Sequence, residues 1–283
     1  MRITTVLVVL EGVDSDAVTA ATALAVGRSF GARVEGAIVR PDPRDAVRLA
    51  IDGMSPALIE GILAAARADN DERFKRARAS FEQACKSYGV GLGEDAKGGS
   101  WTEQTGRAPD FVADHGRLAD LIVLGTPSED AVSEGAALAE AALFQSGRPV
   151  LLAGPKAPEN FDGTAVIAWN GSGQAARAVT AALPFLERAG KVMVLALDEP
   201  DDLWPNAERL CAYLQSHGIK AAPRRKSSGG AAVGDRLIEL ARDEGAALLV
   251  MGGYGHSRLR ELVLGGVTRR VLARPGLAVL MAH

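Results

Sequence analysis

The residues best placed to do chemistry in this chain are glycines. Gly252-Gly253-Tyr254-Gly255 follows the apolar run Ala246 to Met251, and after nine residues comes Gly265-Gly266-Val267-Thr268. The run has the length and composition of a strand buried on both faces. Glycine permits positive φ and lets a ligand approach the backbone. Arg269-Arg270-Val271-Leu272 then reads as a helix. A strand, a glycine loop and a helix start make an anion site, because the first free N–H groups of a helix point outward there. Arg258 and Arg260 fall inside the loop and could pair with phosphate through their guanidinium groups. A solvated basic loop explains them equally well.

Other chemistries are missing from the pattern. There is no Gly-x-Ser-x-Gly, no lysine after the glycine loop in Walker fashion, and no carboxylate cluster that would hold catalytic Mg2+. Phosphoryl transfer needs such positioned charge, so hydrolysis of a bound phosphate ester is expected to be slow at most. The four histidines have no metal-ligand spacing, and Cys85 and Cys211 stand far apart in no redox motif. With 32 Lys and Arg against 35 Asp and Glu, the net charge is −3, which argues against a nucleic-acid partner. The basic run Lys220 to Lys226 has no interleaved aromatics and reads as a solvated edge strand. The apolar run Val6 to Leu10 is too short for a signal segment, and no stretch approaches the ~18 apolar residues of a membrane span. A cytoplasmic protein without a membrane partner is expected.

The elements that must hold the glycine loop come twice. Thr4 to Leu10 reads as a strand, Ala17 to Phe30 as a helix closed by Gly31, and Val34 to Val39 as a second strand. Residues 45–68 have helical periodicity interrupted by Gly53 and Pro56, and a polar-faced helix is expected from about Ala68 to Tyr88. Gly91 to Thr105 shows no clear element beyond a short strand near Trp101. A helix from Arg107 to His115, a strand at Ala119 to Leu124, a helix from Gly135 to Phe144 and a strand at Pro149 to Ala153 complete the first series. After the breaker-rich stretch Gly154 to Pro158, the order repeats through strands at Thr164 to Trp169, Val192 to Leu197, Lys220 to Lys226, Ala246 to Met251 and Leu277 to Met281. Intervening helices are expected from Gln174 to Ala189, Asn206 to Ser216 and Gly234 to Glu244. Alternating strands and helices at short spacing predict an α/β fold of two tandem domains, 1–154 and 163–283. Each would be a five-stranded, mostly parallel sheet with helices on both faces.

In such sheets a ligand binds beyond the carboxyl ends of the strands, where the strand order reverses. That places the turn Asn170-Gly171-Ser172 beside Met251, Gly252 and the glycine loop. The first copy instead has Glu11-Gly12-Val13 and Gly125 to Asp130, lacks the second glycine, and puts Glu129, Asp130 and Glu134 where an anion would lie. Carboxylates repel phosphate and Pro127 removes a donor, so the first copy reads as degenerate.

The glycine spacing, set between a strand and a helix, resembles the ATP-binding signature of the universal stress protein family. The family's last position is usually Ser or Thr, and here it is Gly266. The resemblance covers nearly the whole chain as two fused domains. It is strongest over Thr164 to Ser172 and Leu248 to Met281. It implies a Rossmann-like fold of the adenine nucleotide alpha hydrolase type and a regulatory ATP-binding role in the bacterial stress response, with or without Mg2+. Asn170 matches an acidic family position that contacts adenosine, and the backbone near Leu197 would lie against adenine. Backbone N–H groups of Gly252, Gly255, Gly265, Gly266 and Val267 would cradle phosphates beside the Thr268 hydroxyl. The same resemblance implies an internal pseudo-dimer through the last strands and leaves a homodimer open. The competing reading is a stress scaffold that binds no nucleotide and acts through protein or small-ligand contacts. Its surface would be the amphipathic segment with Met54, Leu58, Ile59, Ile62 and Leu63.

Overall fold

The computed structural model describes residues 2–42, 55–93, 98–127, 134–197, 206–227, 232–253, 271 and 276–283. The first half contains β1 (Thr5–Leu10), α1 (Asp16–Phe30), β2 (Arg33–Arg40), α2 (Pro56–Tyr88), β3 (Gly99–Thr105), α3 (Ala108–His115), β4 (Leu121–Leu124), α4 (Glu134–Gln145) and β5 (Val150–Leu152). The second contains β6 (Thr164–Ala168), α5 (Gly173–Arg188), β7 (Lys191–Leu197), α6 (Ala207–Ser216), β8 (Ala221–Lys226), α7 (Val233–Asp243), β9 (Ala246–Gly252) and β10 (Ala278–Ala282).

All ten described strands form one sheet in the order β3-β2-β1-β4-β5-β10-β9-β6-β7-β8. Every pairing is parallel except the central one, where Val150, Leu151 and Leu152 run antiparallel to Met281, Leu280 and Val279. Each half therefore has its first strand inside, with its second and fourth strands on either side. The inner strands are apolar runs buried on both faces, as a parallel sheet covered by helices requires.

One face carries α1, α2, α5 and α6 over a core that includes Val8, Phe81, Ile167 and Leu210. The other carries α3, α4 and α7 over Leu7, Ile122, Leu249 and Val279. The halves are joined on both faces. Phe185 of α5 takes edge-on contacts from Phe30 of α1 and Phe161 of the connecting segment, with ring centroids at 4.8 and 4.9 Å. On the opposite face the His283 ring stands edge-on to Phe144 of α4 at 4.5 Å.

Two expectations change. The polar-faced helix does not start near Ala68. It starts at Pro56, and Ser55 accepts the Leu58 N–H as its cap. Pro56 lies in the first turn, where its missing N–H costs nothing, so it opens the helix rather than breaking it. The part of the amphipathic segment before Ser55 lies outside the described residues. The stretch after Gly91 contains a full seven-residue edge strand, β3, which pairs with β2 from Val34↔Gly99 to Arg40↔Thr105. Its polar sequence hid it, because an edge strand with one wet face has no apolar run.

Candidate functional site

The site is built at the carboxyl end of β6, between β7 on one side and β9 on the other. After Ala168 the chain turns sharply. Asn170 Oδ1 accepts the Ser172 N–H at 3.1 Å, Gly171 takes φ 73°, and Ser172 Oγ accepts the Ala175 N–H at 3.1 Å to cap α5. Asx turns of this kind suit Asn, and the cap satisfies one of the helix's free donors. One lone pair of the Asn170 carbonyl is thus spent on its own turn, which leaves the other lone pair and the Nδ2 group for a ligand.

Gly252 ends β9 directly against this helix start. A Cβ at Gly252 would lie 2.5 Å from Ala175 N and 2.8 Å from Gln174 C, so only glycine lets the two elements close. Met251 pairs with Ala168 on one side and Met281 on the other. It shares the second core face with Leu197, which lies beyond Leu195, the partner of Ala168. Asn170, Gly171, Ser172, Leu197, Met251 and Gly252 are therefore gathered at the neighbouring carboxyl ends of β6, β7 and β9. Gly255, Arg258, Gly265, Gly266, Val267 and Thr268 lie outside the described residues.

The root of the loop is held by the last strand of its own half and by α4 of the first half. Gly253 N donates to Ala282 O at 2.9 Å, and Gly253 O lies 3.1 Å from His283 Nδ1. A Cβ at Gly253 would meet Leu143 Cδ2 of α4 at 2.5 Å. Leu143, Phe144 and His283 went unnoticed in the sequence, since their role depends on how the halves meet. The repeated order of strands was the only signal.

The equivalent crevice of the first half is filled by its own side chains. Gly12 repeats the positive φ of Gly171, at 75°, but α2 presses on it so closely that a Cβ would lie 2.5 Å from Arg73 Cβ. Arg73 Nε donates to Glu11 O at 3.0 Å, and its Nη2 pairs with Glu134 at 3.1 Å. A Cβ on Gly135 would be 3.2 Å from Glu11 Oε2, which puts that carboxylate at the first turn of α4. Helix starts attract anions, and here the anion is the protein's own. Burial, then the neighbouring Asp16, push the Glu11 pKa upward, Arg73 opposes them, and Glu134 adds to the rise. Asp16 accepts the N–H groups of Glu11 at 3.2 Å and Gly12 at 2.7 Å, yet burial still raises its pKa. Glu129 and Asp130 lie outside the described residues. Glu134 does border the crevice, and so does Glu11, the first-copy counterpart of Asn170.

With this geometry in place, comparison with known proteins gives a consistent answer. Residues 206–283 match the model of the Universal stress protein family. The curated Universal stress protein MJ0577 of Methanocaldococcus jannaschii is 34% identical over 47 residues, which is 17% of this chain and 29% of that protein's length. A universal stress protein from Archaeoglobus fulgidus superposes with TM-score 0.70 at 15% identity, covering 99% of this chain and 96% of its own. Protein PA1789 of Pseudomonas aeruginosa, described as functionally unknown, superposes with TM-score 0.58 at 13% identity, covering 99% and 92%. The segment 206–283 is thus similar in sequence to the universal stress protein family. The chain as a whole has the fold of the double-length Archaeoglobus protein.

No helix among the described residues is long and apolar enough to cross a membrane. Among the same residues no cluster of His, Cys, Asp and Glu could hold a metal ion.

Proposed function

We propose that this chain is a regulatory adenine-nucleotide-binding protein of the cytoplasm with two units, residues 1–154 and 163–283, of which the second binds ATP. The observation that carries the reading is the close approach of Gly252 to the first turn of α5. It brings the end of β9, where the glycine loop leaves, against a capped helix start at the point where the strand order reverses. Leu197 and Met251 offer the apolar wall that an adenine ring needs, and the loop glycines offer backbone donors to phosphate. The first unit's crevice is occupied by Glu11, Arg73 and Glu134 and serves as a structural partner. With no charged constellation for phosphoryl transfer, the output is a nucleotide-dependent change in binding rather than turnover.

The test is calorimetric titration of the full chain with ATP and Mg2+, beside a Gly255→Asp variant. Micromolar binding that vanishes in the variant supports the second-unit site. Absence of heat at millimolar ATP sinks it.

A further inference from the structure

A second cavity, of about 480 Å3, opens between α5 and α6. Its size suits a small organic ligand. Trp169, Val179 and Leu210 make its apolar floor, and Asn206, Arg209 and Tyr213 stand at its exposed rim. Trp169 packs with the core of the α5 and α6 face, whereas Leu197 and Met251 belong to the opposite face of the sheet. The groove therefore adjoins the site assigned above to nucleotide, sharing Gly171 with it, and extends from there over the opposite face of the sheet.

Its existence follows from a difference between the halves. In the first, α2 is 33 residues long and packs along α1, covering the turn at Gly12. In the second, α6 has only ten residues and makes almost no contact with α5 among the described residues. Among the described residues the buried Trp169 indole Nε1 has no hydrogen-bond acceptor.

Among the described residues Arg209 is the one charged residue lining the groove, and no carboxylate pairs with it. Glu208 beside it is turned to Arg225 of β8, at 2.8 and 2.9 Å. The Asn206 Oδ1 is spent on the Arg209 N–H at 2.7 Å, leaving Nδ2 to donate. The flat rings of Trp169 and Tyr213 and the Arg209 guanidinium define one ligand chemistry.

We infer that the groove between α5 and α6 binds a small aromatic carboxylate, with the ring against Trp169 and Tyr213 and the carboxylate on Arg209. The test uses 1-naphthoate as probe on the full chain, read by the indole N–H signals of its three tryptophans in 15N NMR. The Trp169 signal is assigned by its loss in Trp169→Phe. Saturable submillimolar binding that moves this signal is expected, with affinity falling about tenfold or more in Arg209→Ala, as loss of a charged hydrogen bond requires. Ala176→Phe, on the solvent side of α5, fills the groove without touching the core and should abolish binding in a folded chain. The neutral 2-methylnaphthalene should bind far more weakly. Failure to saturate, an unmoved Trp169 signal, indifference to Arg209→Ala, or displacement of the probe by ATP would each overturn the proposal.

Discussion

Replacing Gly252 by alanine tests the join on which the proposed ATP site depends. The new Cβ would lie 2.5 Å from Ala175 N, 2.8 Å from Gln174 C and 2.9 Å from Gln174 Cβ. Real Cβ atoms essentially never come within 3.0 Å of such neighbours, so β9 and α5 must separate by about half an ångström. Two of the three atoms are backbone, and no rotamer change relieves them. Overpacking of this kind costs about 1–3 kcal/mol. Moving Ala175 also strains its bond to the Ser172 cap, worth about 1 kcal/mol. The expected loss is roughly 2–4 kcal/mol. Gly173→Ala is the control, since its Cβ meets only the flexible end of Arg177, at 3.5 Å. It should stay within about 0.5 kcal/mol of the parent. Urea unfolding of each full chain, followed by far-UV circular dichroism, measures both. ATP calorimetry on folded Gly252→Ala should show weakened binding beside unchanged binding in Gly173→Ala. Equal unfolding midpoints for the two alanine variants would refute the close-approach argument.

Two further predictions concern titratable groups. The Glu11 carboxyl is raised by burial first, so the folded state holds its proton more tightly than the unfolded chain does. Stability from this group is full below the ordinary value of 4.5 and declines as pH rises through the higher folded value. Glu11→Gln should therefore raise stability at neutral pH and flatten the loss seen as pH climbs from 4.5, in urea midpoints taken across that range. An unchanged pH slope would contradict it. Burial pushes the Cys85 thiol up to about 11 and raises that of Cys211 as well, so little thiolate exists in the folded chain. Ellman's reagent should react slowly with both at mildly alkaline pH and rapidly after denaturation; fast labelling of native Cys85 would show its environment to be misread.

The inner elements were legible because they obey local rules. Strands such as Val6 to Leu10 and Leu248 to Met251 are buried on both faces and so are written as apolar runs. Gly31 and Gly89 close their helices in the left-handed conformation, as a C-terminal glycine should. The edge strand β3 was half-hidden because solvent covers part of it, and Pro56 was misjudged because a breaker and a first-turn residue share one letter. At the site, the spacing of the glycines pointed to Gly252 and its neighbours. It could not show that Glu11 reaches the start of α4, since Glu11 and Gly135 are remote in sequence. Trp169 passed unnoticed because it takes the place of Leu10 of the first copy, and only the shortness of α6 beside it makes that exchange matter.

The antiparallel join at the centre of the sheet also sets an order on assembly. β10 lies between β5 and β9, so it is hydrogen-bonded on both sides, yet it is synthesised after every other described strand. Until then the first half, though complete in its own five strands, presents β5 as an open rim, and β9 is open beside it. A nascent chain on the ribosome must keep these two edges from pairing with those of its neighbours. Two chains caught at that stage could close each other's sheets instead of their own. The short length of β5, three residues, limits how firmly such a wrong partner could hold.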